Sequence, residues 1–116
     1  FKETVRIFKN ARDYFNEKWE SPYRIDAPSY FIECLIYNVP ERILRRSKRS
    51  TRFKEILDHL QADSTDLTTF DQVSKMELLF GTNNTQWDIG SAETMIAHLE
   101  AMWNDWYDQH NRRLFT

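Results

Sequence analysis

Ser29 and Tyr30 stand side by side where a helix is expected to begin, directly after Ala27-Pro28. A helix start leaves backbone N–H groups unpaired and carries the positive end of the helix dipole, which together favour an anion. A hydroxyl and a flat ring at that place suit a phosphorylated nucleotide, with hydrogen bonds for phosphate and a stacking face for the base. The plainer reading of the same two residues is an ordinary helix-start serine followed by a core tyrosine, and the pair alone does not choose between them. A second candidate is the positive run between Glu41 and Lys54, made of Arg42, Arg45, Arg46, Lys48, Arg49, Arg52 and Lys54. Such a run can hold the phosphates of a polynucleotide or of a triphosphate, because each contact releases condensed counterions. It can equally be a solvated turn between helices.

Other reactive types are present without the spacing that chemistry needs. Cys34 lies among Ile32, Leu35 and Ile36 and reads as a core thiol, since apolar burial raises a thiol pKa. His59, His98 and His110 are too far apart for ligand spacing, and read as surface or helix-end residues. The loop bearing Asp63, Asp66 and Asp71 lacks the glycine and closing glutamate of a calcium loop. No nucleophile with its base, no paired carboxylates and no metal cluster can be assembled, so neither a catalytic centre nor a metal site is expected in this chain.

Helices must position these groups. Val5, Phe8, Ala11, Phe15 and Trp19 recur at three- and four-residue steps and form the apolar stripe of a first helix that stops before Ser21-Pro22. Tyr23 to Pro28 reads as a loop, with Asp26 placed to cap the next helix and Pro28 suited to its first turn. Phe31, Ile32, Cys34, Leu35, Ile36 and Val39 cover nearly every side of a second helix, which marks it as the buried centre. Pro40 ends that helix or starts the next. Ser50 or Thr51 caps a third, striped by Phe53, Ile56, Leu57 and Leu60. After a polar loop over 61–69, a shorter element from Asp71 carries Val73, Met76, Leu79 and Phe80 and closes at Gly81 in a left-handed conformation. Thr82 to Gly90 is a polar loop around Trp87, and Ser91 caps a long last helix bearing Ala92, Met95, Ile96, Leu99, Met102, Trp103 and Trp106. The fold class expected is all-α, a compact four- to five-helix bundle-like domain.

With 116 residues, two glycines and three prolines, the chain suits one such domain and not a many-turned β sandwich or barrel. Its net charge of -2 supplies no long-range pull toward nucleic acid or an acidic membrane, so any affinity of that kind is local. A single cysteine points to a reducing, cytoplasmic setting, and no apolar run is long enough to cross a membrane. The chain opens on Phe1 in a helical pattern, which suggests a piece of something longer.

Val5-Arg6-Ile7-Phe8-Lys9-Asn10, followed about twenty residues on by Ala27-Pro28-Ser29-Tyr30-Phe31-Ile32-Glu33, resembles the C-terminal helical domain of template-independent nucleotidyltransferases. These are the oligoadenylate synthetases, cyclic GMP-AMP synthase and their bacterial relatives. Leu78-Leu79-Phe80-Gly81, Gln86-Trp87 and the stretch Leu99 to Trp106 resemble the tail of the bacterial members. The resemblance implies that Lys9 donates to the triphosphate, that Ser29 hydrogen-bonds the same phosphates and that Tyr30 stacks on the base. It also implies an N-terminal catalytic domain as partner, with residues 1–116 as the C-terminal part of the longer enzyme. That domain carries a Gly-Ser turn and paired acids that hold magnesium. Here no Asp is followed two positions on by Asp or Glu, and Gly90-Ser91 opens a helix instead. Mg2+ and NTP are therefore expected only with the full-length enzyme, which would transfer a nucleoside monophosphate to a hydroxyl acceptor, and this chain alone is expected to be inactive. A second reading keeps the chain as a non-catalytic helical module that binds RNA or an acidic protein through Arg42, Arg45, Arg46, Lys48 and Arg49.

Overall fold

The computed structural model describes residues 1–18 and 24–114, and for 106–114 the backbone alone. Among the described residues five helices follow one another: α1 (Lys2–Lys18), α2 (Ser29–Tyr37), the single turn α3 (Glu41–Leu44), α4 (Arg49–Gln61) and α5 (Ile89–Leu114), with a 3-10 turn at Leu67–Thr69. The all-α expectation holds, and α1 packs on α2 and α5 while α4 packs on α5 and α3. The stop of the first helix before Ser21-Pro22, the place of Trp19, and the side chains of Trp106 and His110 lie outside what is described.

The core is built from the stripes the sequence sets out. Phe8, Ile32, Cys34, Leu35, Ile36, Ile56, Leu57, Leu79, Met95 and Leu99 are all fully buried. Each large aliphatic or aromatic side chain so buried contributes about 1.5–3 kcal/mol. The second helix is indeed central, since Ile32, Cys34, Leu35 and Ile36 on consecutive faces all lose their solvent. Phe8 on α1 meets Phe53 on α4 with ring centroids 4.6 Å apart, and Phe53 in turn lies 5.9 Å from Trp103 of α5.

Several local expectations are corrected. No helix forms from Asp71 to Phe80. The segment folds instead into short extended pieces: Gln72 N–H donates to Glu77 O, Leu79 N–H to Phe70 O, and Trp87 N–H to Leu79 O. Isolated bridges join Asp71 with Leu78 and Phe80 with Trp87. The apparent helical spacing of Val73 and Met76 fails because both are exposed, whereas Phe70, Leu79, Phe80 and Trp87 are buried. The left-handed residue is Lys75, at φ 59°, and not Gly81, because the reversal falls between the two extended pieces. Trp87 is no polar-loop residue either: its ring lies between Phe31 and Phe80, 5.7 Å from each.

Helix starts also differ. Pro28, Pro40 and Lys48 flank α2, α3 and α4 without a side-chain cap, so Asp26, Ser50 and Thr51 do not serve as expected. At α5 the cap is Asp88, whose carboxylate accepts from Ser91 N–H at 3.0 Å and from the Ser91 hydroxyl.

Candidate nucleotide-binding face

The site is assembled by one polar stripe of α1. Lys9, Arg12 and Asn16 sit three and four residues apart and share a face beside the apolar stripe. Asn16 clamps Ile25 from both sides, accepting its N–H at 2.7 Å and donating to its carbonyl at 3.0 Å. One turn earlier, Arg12 Nη1 donates to Ala27 O at 2.8 Å and to Ser29 Oγ at 3.2 Å. The chain thus runs back along α1 from Asn16 to Arg12 as it enters α2. Lys9, about 4.5 Å further along the axis, continues the same row of α1. Lys9 is half-buried and has no hydrogen-bond or ion-pair partner among the described residues. No bond links it to Ser29.

Ser29 opens α2 and is exposed. Phe31 N–H and Ile32 N–H both donate to Pro28 O, which leaves the N–H groups of Ser29 and Tyr30 without a backbone partner among the described residues. Tyr30 follows with 43% of its surface exposed, so it is not the enclosed core ring of the plainer reading. Its hydroxyl donates to Gln72 Oε1 at 3.3 Å. Gln72 is buried, and its amide nitrogen is spent on Glu77 Oε1 and Thr85 O. Tyr30 therefore holds its phenol on a fixed anchor and lines an open hollow of about 560 Å³ together with Phe31, Gln72, Ser74, Met76, Glu77 and Thr85; Ser29 and Lys9 are not part of this lining.

The positive run has a different surrounding. Arg45 pairs with Glu41, Arg46 with Glu55, and Arg49 and Arg52 both with Glu3. Arg52 also donates to Arg46 O. Hydrogen bonds from Arg49 and then Arg52 hold the Glu3 carboxyl down at about 2. Lys54 is drawn toward the neutral form by burial, but bonds to Glu100 and Asp58 outweigh this and raise its pKa. Most of these cations thus meet a carboxylate of the same chain, and the contacts with Glu3 tie α1 to α4. Arg42 is exposed and, after burial, is the second cause that keeps His59 below its ordinary pKa. Lys48 is exposed at the entry to α4.

The remaining candidates fall out as plain structure. Cys34 is a buried free thiol and accepts from Val73 N–H at 3.5 Å. His98 stacks on Phe15 at 4.7 Å. Among the described residues no group of three His, Cys, Asp or Glu could hold a metal ion, and no helix is long and apolar enough to cross a membrane. Sequence reasoning missed Arg12, Asn16 and Gln72. The first two carry a faint signal, the i, i+3, i+7 polar row with Lys9. Gln72 has none, because its partner Tyr30 is forty-two positions away.

The fold is an all-α domain in which Arg12 of α1 holds the start of α2 at Ala27 and Ser29. Residues 1–104 match the cGAS/DncV-like nucleotidyltransferase C-terminal helical domain, and the chain belongs to that family. It is 33% identical over 106 residues to the cyclic nucleotide synthase CdnE01 of Staphylococcus haemolyticus, covering 91% of this chain and 35% of that protein. It is 35% identical over the same length to the cyclic UMP-AMP synthase of Rhodothermus marinus, with the same two coverages. The solved structure of the Rhodothermus marinus CdnE c-UMP-AMP synthase with Apcpp and Upnpp superposes with a TM-score of 0.78 at 33% identity, over 89% of this chain and 34% of that one. The chain thus spans about a third of the length of the relatives it matches.

Proposed function

We propose that this chain is the nucleotide-gripping helical part of a nucleotidyltransferase that transfers a nucleoside monophosphate from an NTP to a hydroxyl acceptor, with a cyclic nucleotide as product. The cyclic product rests on the names of the relatives. The observation that carries the reading is Tyr30: it lines an open hollow and is braced by a buried amide, and its neighbour Ser29 is held by Arg12 of α1. In this reading the base stacks on Tyr30, Ser29 donates to the β- or γ-phosphate, and the Lys9 ammonium neutralises the triphosphate from the side. Magnesium finds no cluster of ligands among the described residues, so its carboxylates belong to a separate catalytic domain. The paired state of the 42–54 run favours a structural part for most of it over RNA binding.

The test uses the full-length protein with Lys9→Ala and Ser29→Ala. Each lost charge-assisted phosphate contact costs about 1.5–3 kcal/mol, so the nucleotide KM should rise roughly 10- to 150-fold per substitution. Unchanged KM and kcat in the double variant would remove the site assignment.

A further inference from the structure

Resting on the phosphate-binding reading of Ser29, we infer that Arg12 is a positioning residue that sets the Ser29 hydroxyl as a donor toward the phosphate. A serine hydroxyl has one hydrogen to give and two lone pairs to receive with. Left alone at a helix start, it turns readily inward and accepts from a backbone N–H of the first turn. A guanidinium has only donors, so the 3.2 Å contact from Arg12 Nη1 obliges Ser29 Oγ to be the acceptor there. The Ser29 proton must then point to another partner. Ser29 is exposed, and Arg12 is its only hydrogen-bond partner among the described residues. The proton is accordingly left for a partner from outside the chain.

Arg12 is itself well fixed for this task. Its side chain is only 15% exposed, Nε is held by Asp13 at 2.9 Å, and Nη1 is shared with Ala27 O at 2.8 Å. The grip on Ala27 sets the backbone two residues ahead of Ser29, so one guanidinium fixes both where the hydroxyl sits and which way it faces. The positive charge polarises the hydroxyl, which makes it a stronger donor to an anion. Lysine at this place would keep the charge and lose the planar guanidinium, whose Nε holds Asp13 while Nη1 reaches both oxygens. Asn16 provides the comparison, since it anchors the same connection at Ile25 without touching Ser29.

The experiment is a double-mutant cycle in the full-length enzyme, read as nucleotide KM, as inhibition by the free nucleoside and as Tm. Arg12→Gln and Ser29→Ala should each raise the triphosphate KM about tenfold, and the pair together should raise it little beyond either alone. Inhibition by the nucleoside, which has no phosphate, should not change in either single variant. Asn16→Ala should lower Tm and add its effect on KM independently of Ser29. Additive effects of Arg12→Gln and Ser29→Ala would make Arg12 a direct phosphate ligand and overturn the inference. So would parallel losses of Tm, KM and nucleoside inhibition matching those of Asn16→Ala, which would make Arg12 a loop anchor only. If Ser29→Ala alone had no effect on KM, the phosphate site would fail and Arg12 with it; if Ser29→Ala acted and Arg12→Gln did not, only the role of Arg12 would fail.

Discussion

Single residues in this domain show how little the type of a side chain says without its neighbours. Tyr30 and Ser29 were legible as a candidate pair because a Pro-flanked helix start is a local feature, readable from four adjacent letters. What holds the pair is not local: Arg12 bonds Ser29 and Gln72 bonds Tyr30, from seventeen and forty-two positions away. Thr4 offers a test of the same point. It is 2% exposed, and its hydroxyl has no hydrogen-bond partner among the described residues. An unpaired buried hydroxyl costs about 1–3 kcal/mol, and valine has nearly the same shape. Thr4→Val should therefore raise the thermal midpoint by several degrees in a calorimetric scan. A lowered midpoint would show that the hydroxyl is satisfied.

At the level of elements, the sequence spoke clearly where a stripe repeats over three or more turns and poorly where a fold is closed by distant backbone pairing. The described parts of the stripes of α1, α4 and α5 match the sequence reading, because a 3.6-residue period over a long segment has few competitors. The segment from Phe70 to Trp87 departs from its helical spacing, because its hydrogen bonds run between pieces five to nine residues apart and leave no period in the letters. Two elements are held by groups whose titration or removal can be followed. The Glu3 carboxyl is lowered from 4.5 to about 2 by Arg49 and Arg52, and so joins α1 to α4 as an anion. A carboxyl with a depressed folded pKa adds stability above its unfolded value and loses it as pH falls. The domain should lose stability between about pH 4.5 and pH 2 on this account. Glu3→Gln should lower Tm at pH 7 and flatten this part of the acid profile, whereas an unaltered profile would mean that the contact is lost to solvent. Asp88 is the second case. As the cap of α5 it satisfies Ser91 N–H, and Asp88→Ala should cost about 1 kcal/mol in a urea titration, with Asp88→Asn largely preserved. Equal stability of Asp88→Ala and the parent would contradict the capping role.

For the molecule as a whole, the division of labour explains why its chemistry looked incomplete in the sequence. A layer of helices around Ile32, Leu35, Ile36, Leu57 and Leu99 is a rigid support, and it presents one helix start with a hydroxyl, a ring and an adjacent cationic row. Aligning a phosphoryl group for attack also needs metal ions on carboxylates, and none can be assembled among the described residues. In the proposed reading the domain holds a nucleotide still while a separate catalytic domain does the chemistry. The charge run at 42–54 fits the same picture, since Arg45, Arg46, Arg49 and Arg52 pair with Glu41, Glu55 and Glu3. The central claim is best tested by a crystal structure of the full-length protein with a non-hydrolysable NTP. The account predicts phosphate oxygens within hydrogen-bond distance of Ser29 Oγ and Lys9 Nζ, with the base stacked on the Tyr30 ring. A triphosphate bound away from the start of α2, or a base with no contact to Tyr30, would contradict it.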